Sequence, residues 1–311
     1  MQRMTQATYL THPPIGFIGI GNMGFAMLTR LASLNWPTAV CDIDPIALNK
    51  AQAMGVSVFQ SAAQIAQHCR ITFLVVVDAA QVDEVLNGPE GYFLNSKPGD
   101  VLFLCPTLGP LEVAQFAAQA KIKDVSLIDS PMSGGPDRAK MGQMSLMLAG
   151  PQIVLQRHTT LLNALTTQLF FISEIAGDAA KTKLANNLLA AINLAGASEI
   201  LAMAQSWGLD AQTTLSVMQA SSGQSWIGQD RMQRALQNDF EPRAHTTLLT
   251  KDTRLALETC QALGVKTPQL GQWAAACFAA ACDSGYADRD DASLFLHAGG
   301  NVLNKGLPST Q

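Results

Sequence analysis

The chain has 311 residues, of which 48% are hydrophobic and 14% charged, with a formal net charge of −4. This length is enough for two domains, and the composition excludes a disordered chain. The mildly acidic balance argues against nucleic acid and anionic membrane surfaces as partners. The apolar runs are shorter than the ~20 residues that cross a bilayer or, in the longest helix, are interrupted by Glu199. We therefore expect no membrane span.

Cysteine and histidine placement gives no sign of a disulfide framework or a metal site. The six cysteines form no CxxC pair, and the five histidines show no ligand spacing, which favours reduced, buried thiols in a cytoplasmic protein without bound metal. The first dozen residues lack the pattern of a targeting peptide. Asp288, Asp290 and Asp291 are expected to form a solvated helix start.

The first predicted elements form a nucleotide-binding unit. Residues 15–20 (IGFIGI) predict a buried strand that runs into Gly19, Gly21 and Gly24, a GxGxxG motif at the start of a helix near Asn22. Residues 38–43 predict the next strand, with Asp42 near its end. Strand, glycine turn, helix and acid at this spacing together indicate a dinucleotide-binding βαβ unit.

This unit predicts the cofactor. The backbone N–H groups of Asn22, Met23 and Gly24 at the helix start favour a pyrophosphate. The Asp42 carboxylate can accept a hydrogen bond from a ribose 2′-hydroxyl and would repel a 2′-phosphate, and the next residue is Ile43 rather than an arginine. NAD is therefore favoured over NADP. The alternative is that Asp42 is a solvated turn residue.

Further apolar runs continue the alternation of strands and helices. They lack period-2 alternation, as expected of strands buried on both faces of a parallel sheet. The predicted strands are residues 56–59, 71–77, 101–105 and 125–129, then 144–149 and 169–172 at an extension of the sheet, with helices near 62–68, 81–87 and 111–120. We predict a Rossmann-like, doubly wound α/β domain over residues 1–175.

The loops after the strands should line the binding site, because ligands of doubly wound sheets lie at the carboxyl ends of the strands. These loops contain Val77 and Asp78, then Thr107, then residues 130–135 (SPMSGG). The hydroxyl of Ser133 and the backbone N–H groups of Gly134 and Gly135 could hold a carboxylate. An ordinary glycine turn is the alternative.

A proline-free stretch rich in alanine and leucine predicts one long interdomain helix over about 178–207, leading into an all-helical domain over residues 176–311. Lys183 and Asn187 are four residues apart and share a face, next to Asn186. A helix start disfavours positive charge, which lowers the pKa of a lysine there and suits proton transfer. An exposed structural lysine is the alternative.

Four motifs in order resemble those of the β-hydroxyacid dehydrogenases, and the resemblance covers nearly the whole chain. They are GFIGIGNMG (16–24), DSPMSGG (129–135), GDAAKTKLANN (177–187) and KDTRLAL (251–257). The resemblance implies hydride transfer between a nicotinamide and a small hydroxy acid, and a homodimer or homotetramer formed through the helical domain.

The resemblance also implies roles for individual residues. Lys183 matches the catalytic lysine and Asn187 an asparagine that helps to hold substrate. The remaining matches are Ser133, Gly134 and Gly135 at the substrate carboxylate, Thr107 near nicotinamide and substrate, and Lys251 and Asp252 near the closed active site. Two positions depart from the family pattern, Pro106 in place of a serine and Ala179 in place of a glycine.

The C-terminal half resembles the branch that contains L-threonate dehydrogenases. The resemblance rests on residues 221–226 (SSGQSW), Arg231 and residues 239–243 (DFEPR). Trp226 is a candidate substrate contact, with a core or interface anchor as the alternative. Oxidation of 3-hydroxyisobutyrate and reduction of tartronate semialdehyde remain alternative activities. An imine reductase and a non-catalytic nucleotide-sensing module are more distant, because both are expected to lack Lys183.

Overall fold

The computed structural model describes residues 14–302, so the expectation for the first dozen residues lies outside the described part. The chain divides into two compact units, one ending at Ala180 and one beginning at Lys181. Each unit has its own hydrophobic clusters of buried side chains.

The first unit is built on one nine-stranded sheet. Its strands are β1 (Ile15–Ile18), β2 (Thr38–Cys41), β3 (Ser57–Val58), β4 (Ile71–Leu74), β5 (Val101–Leu104), β6 (Ser126–Asp129), β7 (Met132–Ser133), β8 (Ser145–Ala149) and β9 (Gln168–Ser173). The strand order is β3-β2-β1-β4-β5-β6-β8-β7, with β9 beside β8. The pairs from β3 through β6 are parallel, so the predicted Rossmann-like, doubly wound fold is confirmed.

Three features of the sheet were not predicted from the sequence. β7 is a short strand inside the segment predicted as a loop, and β8 pairs antiparallel with β6 and β7. β4 ends at Leu74 although the apolar run continues to Val77, which is 48% exposed. Hydrophobicity marked the run correctly, but it does not distinguish the last strand residues from apolar residues of the following turn.

The centre of the sheet is buried on both faces. All four residues of β1, β4 and β5 are buried. Phe17, Phe73 and Phe103 stack across these strands, with ring centroids 5.3 Å and 4.7 Å apart. Such rows of aromatic cross-strand neighbours stabilise a sheet beyond the area they bury.

Helices flank the strands of the first unit. They are α1 (Asn22–Ser33), α2 (Pro45–Ala53), α3 (Ala62–His68), α4 (Ala79–Asn87), α5 (Tyr92–Asn95), α6 (Pro110–Ile122), α7 (Gly135–Lys140), α8 (Gln152–Arg157) and α9 (Thr159–Leu165). Side-chain caps begin several of them: Asp44 accepts from the N–H of Ile46 before α2, and Ser61 from that of Gln64 before α3. These caps satisfy backbone donors that a helix start leaves unpaired.

The second unit is helical. The long helix α10 (Asp178–Ser206) begins in the first unit and is followed by α11 (Ala211–Ala220), α12 (Trp226–Leu236), α13 (Thr246–Ala262), α14 (Gln269–Ala281) and α15 (Leu294–His297). The predicted long helix and all-helical C-terminal region are therefore confirmed. Leu194, Phe278 and Phe295 are fully buried at the centre of this unit.

Among the described residues, α10 is the one helix long and apolar enough to cross a membrane. Half of its most apolar stretch is buried inside the protein. A core helix of a folded domain shows the same length and composition, so the feature is weak evidence for a membrane span.

The expected solvated start at Asp290 and Asp291 is wrong, because both carboxylates are buried in an ionic cluster. Arg231 pairs with Asp291, and Arg234 pairs with Asp290. Asp290 Oδ2 also accepts from the backbone N–H of Arg243 at 2.8 Å. Sequence patterns around residue 290 show only local charge, whereas these partners lie about fifty to sixty residues away.

Candidate active site

The carboxyl ends of the parallel strands lie side by side. Ile18 at the end of β1 is in register with Cys41 of β2 and Leu74 of β4. Leu104 of β5 follows in register, and Asp129 of β6 comes next. The loops that leave these residues therefore share one edge of the sheet, where a doubly wound fold binds its ligand.

The glycine loop after β1 has the geometry of a phosphate cradle. Gly19 has φ = +86°, and a Cβ there would lie 2.3 Å from Val75 O. A Cβ at Gly24 would lie 2.2 Å from Gly19 O, so only glycine lets α1 pack this closely against the loop. Gly21 faces open space and caps α1 without a side chain. The first turn, which contains Asn22 and Met23, therefore presents backbone N–H groups to an anion.

The Asp42 carboxylate is anchored to this loop. Oδ2 accepts from the backbone N–H of Ile20 at 2.5 Å, and Oδ1 accepts from that of Asp44 at 2.8 Å. Asp42 is thus more than a solvated turn residue. A carboxylate oxygen can accept more than one hydrogen bond, so each oxygen of Asp42 can also accept one from a ribose hydroxyl. Loop and acid together fit a dinucleotide.

The next loops contribute Val77, Asp78 and Thr107. Asp78 caps α4 by accepting from the N–H of Gln81 at 2.9 Å, and the N–H of Val77 donates to Gln81 Oε1 at 2.9 Å. Thr107 is half-buried in the loop between β5 and α6. All three lie at the edge predicted from the sequence, and the structure gives Asp78 a capping role that spacing did not reveal.

The SPMSGG segment contains β7 and turns at Gly134 into α7. Gly134 has φ = +122° and Gly135 has φ = +76°, both in the region that favours glycine. The position of a Cβ at Gly135 is open, and Ser133 is half-buried beside it. A hydroxyl next to exposed backbone can accommodate a carboxylate ligand.

Asp129, at the end of β6, holds the start of the long helix, a role that sequence reasoning missed. Its Oδ2 accepts from the N–H groups of Gly177 and Ala180, each at 2.9 Å. Burial raises the pKa of Asp129 to about 6, although the amides of Ala180, Gly177 and Ala179 lower it. Ala179 is buried in a helical turn, so the departure from glycine there is accommodated.

Lys183 lies on α10 and is 7% exposed, unlike Lys181, which is exposed. Burial lowers its pKa to about 8; Asp252 raises that pKa and Lys251 lowers it. The alternative of an exposed structural lysine is therefore excluded. A lysine with this pKa exists in both protonation states near neutral pH and can donate or accept a proton.

Asn187 lies one turn beyond Lys183 and is fixed by hydrogen bonds. Its Nδ2 donates to Asp252 Oδ2 at 2.6 Å, and its Oδ1 accepts from Asn186 Nδ2 at 3.1 Å. Lys251 Nζ lies 3.1 Å from Asp252 Oδ1. The structure therefore brings Asn187, Lys251 and Asp252 together in the second unit, and the charges of Lys251 and Asp252 act on Lys183.

Trp226 begins α12 after Ser225, whose hydroxyl accepts from the N–H of Gly228 at 3.1 Å. The indole is 48% exposed, so Trp226 is not a core anchor. An indole with this exposure can contact either a ligand or another subunit.

Comparisons with known proteins agree with this geometry. A family model described as the NAD binding domain of 6-phosphogluconate dehydrogenase matches residues 14–173. A second, described as NAD-binding of NADP-dependent 3-hydroxyisobutyrate dehydrogenase, matches residues 177–297. The chain is a member of the β-hydroxyacid dehydrogenase family. It is therefore a nicotinamide-dependent dehydrogenase that acts on a CH–OH group.

Individual relatives cover nearly the whole chain. An L-threonate dehydrogenase of Escherichia coli is 29% identical over 93% of this chain and 96% of its own. A 2-hydroxy-3-oxopropionate reductase of the same species is 30% identical over 82% and 86%. The crystal structure of a 3-hydroxyisobutyrate dehydrogenase from Salmonella typhimurium, 28% identical, has a TM-score of 0.85 and covers 92% of this chain and 100% of its own.

Proposed function

We propose that this β-hydroxyacid dehydrogenase oxidises a small hydroxy acid of about three or four carbons with NAD, and that Lys183 is its general acid and base. The observation that carries the proposal is the buried Lys183 with its pKa lowered to about 8, one helical turn from the fixed amide of Asn187. A group titrating near the working pH is the most effective proton-transfer catalyst.

Different side chains have different roles in the proposed reaction. Ser133, Gly134 and Gly135 would hold the substrate carboxylate, and Thr107 would contact the substrate and the nicotinamide. Neutral Lys183 accepts the hydroxyl proton in oxidation, and its ammonium returns the proton in reduction. Asn187 donates a hydrogen bond to the oxygen on which charge develops. A bound nicotinamide supplies the hydride chemistry.

The first test is loss of the proton-transfer group. Lys183→Ala should abolish turnover while leaving NADH binding, measured by fluorescence titration, nearly unchanged. Lys181→Ala is the matched control, because the same residue type is removed from an exposed position of the same helix. Turnover retained in Lys183→Ala would overturn the assignment.

The preference for NAD rests on Asp42. Its carboxylate is held beside the glycine loop by the N–H groups of Ile20 and Asp44, where a 2′-phosphate would meet a fixed negative charge. Gly19, Gly21 and Gly24, with the amides of Asn22 and Met23, bind the pyrophosphate. Val77 and Asp78 border the cofactor, whereas Lys251 and Asp252 belong to the cluster around Lys183 in the second unit.

We assign the substrate to the L-threonate type. The support is the similarity to L-threonate dehydrogenases and the polar segment around Trp226, which can hydrogen-bond extra hydroxyl groups and so reject substrates that lack them. NAD reduction with L-threonate, D-erythronate, D-glycerate and 3-hydroxyisobutyrate tests it. Highest kcat/KM with L-threonate is expected; preference for 3-hydroxyisobutyrate, or for tartronate semialdehyde in reduction, would select the alternatives.

We further propose a cytoplasmic homodimer or homotetramer formed through the helical unit. Leu189, Ile200 and Met203 are exposed along one side of α10, and Trp207 is exposed directly after its end, although all four are large and apolar. Such a stripe favours a protein interface. Size-exclusion chromatography with light scattering should give a multiple of 33.1 kDa; a monomer would contradict the proposal.

A further inference from the structure

The carboxylate of Asp252 connects two helices of the second unit at the site of Lys183. It is 5% exposed, accepts from Asn187 Nδ2 of α10 at 2.6 Å, and lies 3.1 Å from Lys251 Nζ. We propose that Asp252 is a positioning residue for proton transfer, which fixes the amide of Asn187 and balances the charge around Lys183. The inference rests on the proposed role of Lys183.

The amide of Asn187 has one orientation because of Asp252. An ionised carboxylate only accepts hydrogen bonds, so the atom that faces Asp252 is the amide nitrogen. The Oδ1 atom of Asn187 is engaged by Asn186 Nδ2. An amide nitrogen has two N–H groups, and Asp252 takes one of them. The other is thereby aimed as a donor on the helix face that Asn187 shares with Lys183.

Burial has the largest effect on the pKa of Lys183, and two charged side chains adjust that pKa further. Within the described part of the chain, the charged side chains that shift the pKa of Lys183 are Asp252, which raises it, and Lys251, which lowers it. The neighbouring contacts between α10 and α13 are apolar and include Leu184, Leu188 and Ala256.

This arrangement explains why Lys183 is poised between its two states. A buried lysine next to an unbalanced carboxylate would stay an ammonium, because an opposite charge favours the charged form. The ammonium of Lys251, which pairs with Asp252, opposes that effect, and burial is the largest influence on the pKa of Lys183. The pair therefore acts as a balance, and removing either member should move the titration of Lys183 in opposite directions.

The test is the pH dependence of oxidation. Asp252→Asn keeps the size of the side chain and an oxygen that can accept from Asn187, but removes the charge. The midpoint of log kcat against pH should fall by about one unit, and in Lys251→Met it should rise. Asp283→Asn makes the same chemical change at an exposed position of the same unit and should leave the midpoint unchanged. Unchanged midpoints in the first two variants would overturn the charge balance.

A second measurement tests the orientation of Asn187. Asp252→Ala and Asn187→Ala should each lower kcat. The double variant should have a kcat only slightly below that of the less active single variant, because Asp252 acts through Asn187. KM for NAD should stay within about threefold, as expected of a residue that makes no uniform binding contact. Independent, multiplicative losses, or a raised KM for NAD with unchanged kcat, would contradict the positioning role.

Carbon-13 NMR of the lysine side chains separates this inference from the proposed function. The Lys183 signal, assigned by its absence in Lys183→Met, gives the pKa without substrate or turnover. A lower pKa in Asp252→Asn than in the unmodified protein supports the charge balance, and an equal pKa refutes it. Retained turnover in Lys183→Ala would refute the proposed function, whichever result the NMR titration gives.

Discussion

At the scale of single residues, the acid–base role proposed for Lys183 predicts how the reaction responds to pH. Burial lowers its pKa to about 8, and oxidation requires the neutral form. The rate of oxidation should therefore rise as pH increases through about 8, and the rate of reduction, which requires the ammonium, should fall over the same range. Initial rates in both directions, at saturating cofactor and substrate, provide the measurement. Parallel profiles in the two directions would contradict a single shared acid–base group.

The proposed preference for NAD can be tested at Asp42, the acid beside the glycine loop. Asp42→Ser removes the fixed charge and an acceptor for the ribose hydroxyls. The ratio of kcat/KM for NAD to that for NADP should fall by roughly 10- to 100-fold, the worth of a hydrogen bond to a charged group. Asp44→Ser is the control, since it keeps a side-chain cap for α2 and leaves Asp42 in place. An unchanged ratio in Asp42→Ser would refute the role of Asp42.

Residue patterns found this site to different degrees. The positions of Gly19 and Asp42 could be predicted because local spacing indicates a turn and the end of the next strand. Spacing on a helix face alone left an exposed structural lysine open for Lys183, and only the motif resemblance implied a catalytic role. The bond between Asn187 and Asp252 spans 65 residues, and that of Asp129 to Ala180 spans 51. Contacts of this kind depend on how elements pack, which no local pattern encodes.

At the scale of elements, the two ends of α10 are shaped by glycine for different reasons. Gly177 has φ = +100°, and a Cβ there would lie 2.7 Å from Pro110 O. Gly208 has φ = +80° with open space around it. Gly177→Ala therefore meets both backbone strain and a clash, whereas Gly208→Ala meets strain alone.

The expected loss in unfolding free energy is about 1 kcal/mol for Gly208→Ala and about 2–4 kcal/mol for Gly177→Ala. Urea unfolding followed by circular dichroism measures both. Equal losses would mean that the backbone near Pro110 shifts to make room.

Element prediction succeeded where hydrophobic periodicity and caps agree. The long helix was predicted over 178–207 and is found at Asp178–Ser206, because nothing in it breaks a helix and Gly208 follows its end. β7, by contrast, has two residues and depends on pairing with β8. Tertiary pairing, not propensity, creates such a strand.

At the scale of the whole molecule, the ionic cluster of Arg231, Arg234, Asp290 and Asp291 joins distant parts of the second unit. Burial raises the pKa of Asp291 to about 6, and Arg231 opposes that shift. Because the carboxylates are buried, they depend on their arginine partners to remain charged.

Arg231→Met should therefore lower the free energy of unfolding by about 3–5 kcal/mol, the usual cost of leaving one partner of a buried ion pair alone. Arg254→Met is a matched change at an exposed pair with Glu258 and should cost less than about 1 kcal/mol. Chemical denaturation of both variants provides the comparison. Similar losses would show that the cluster does not stabilise the second unit.

The hydrogen bond from the Ile20 amide to Asp42 joins the glycine loop, proposed to bind the pyrophosphate, to the acid proposed to recognise the ribose. Cofactor fragments that lack the nicotinamide should therefore show whether the protein prefers NAD or NADP. Adenosine 5′-monophosphate should compete with the full dinucleotide more strongly than adenosine 2′,5′-bisphosphate does. An inhibitor that mimics only the adenosine half could then discriminate this protein from NADP-preferring dehydrogenases.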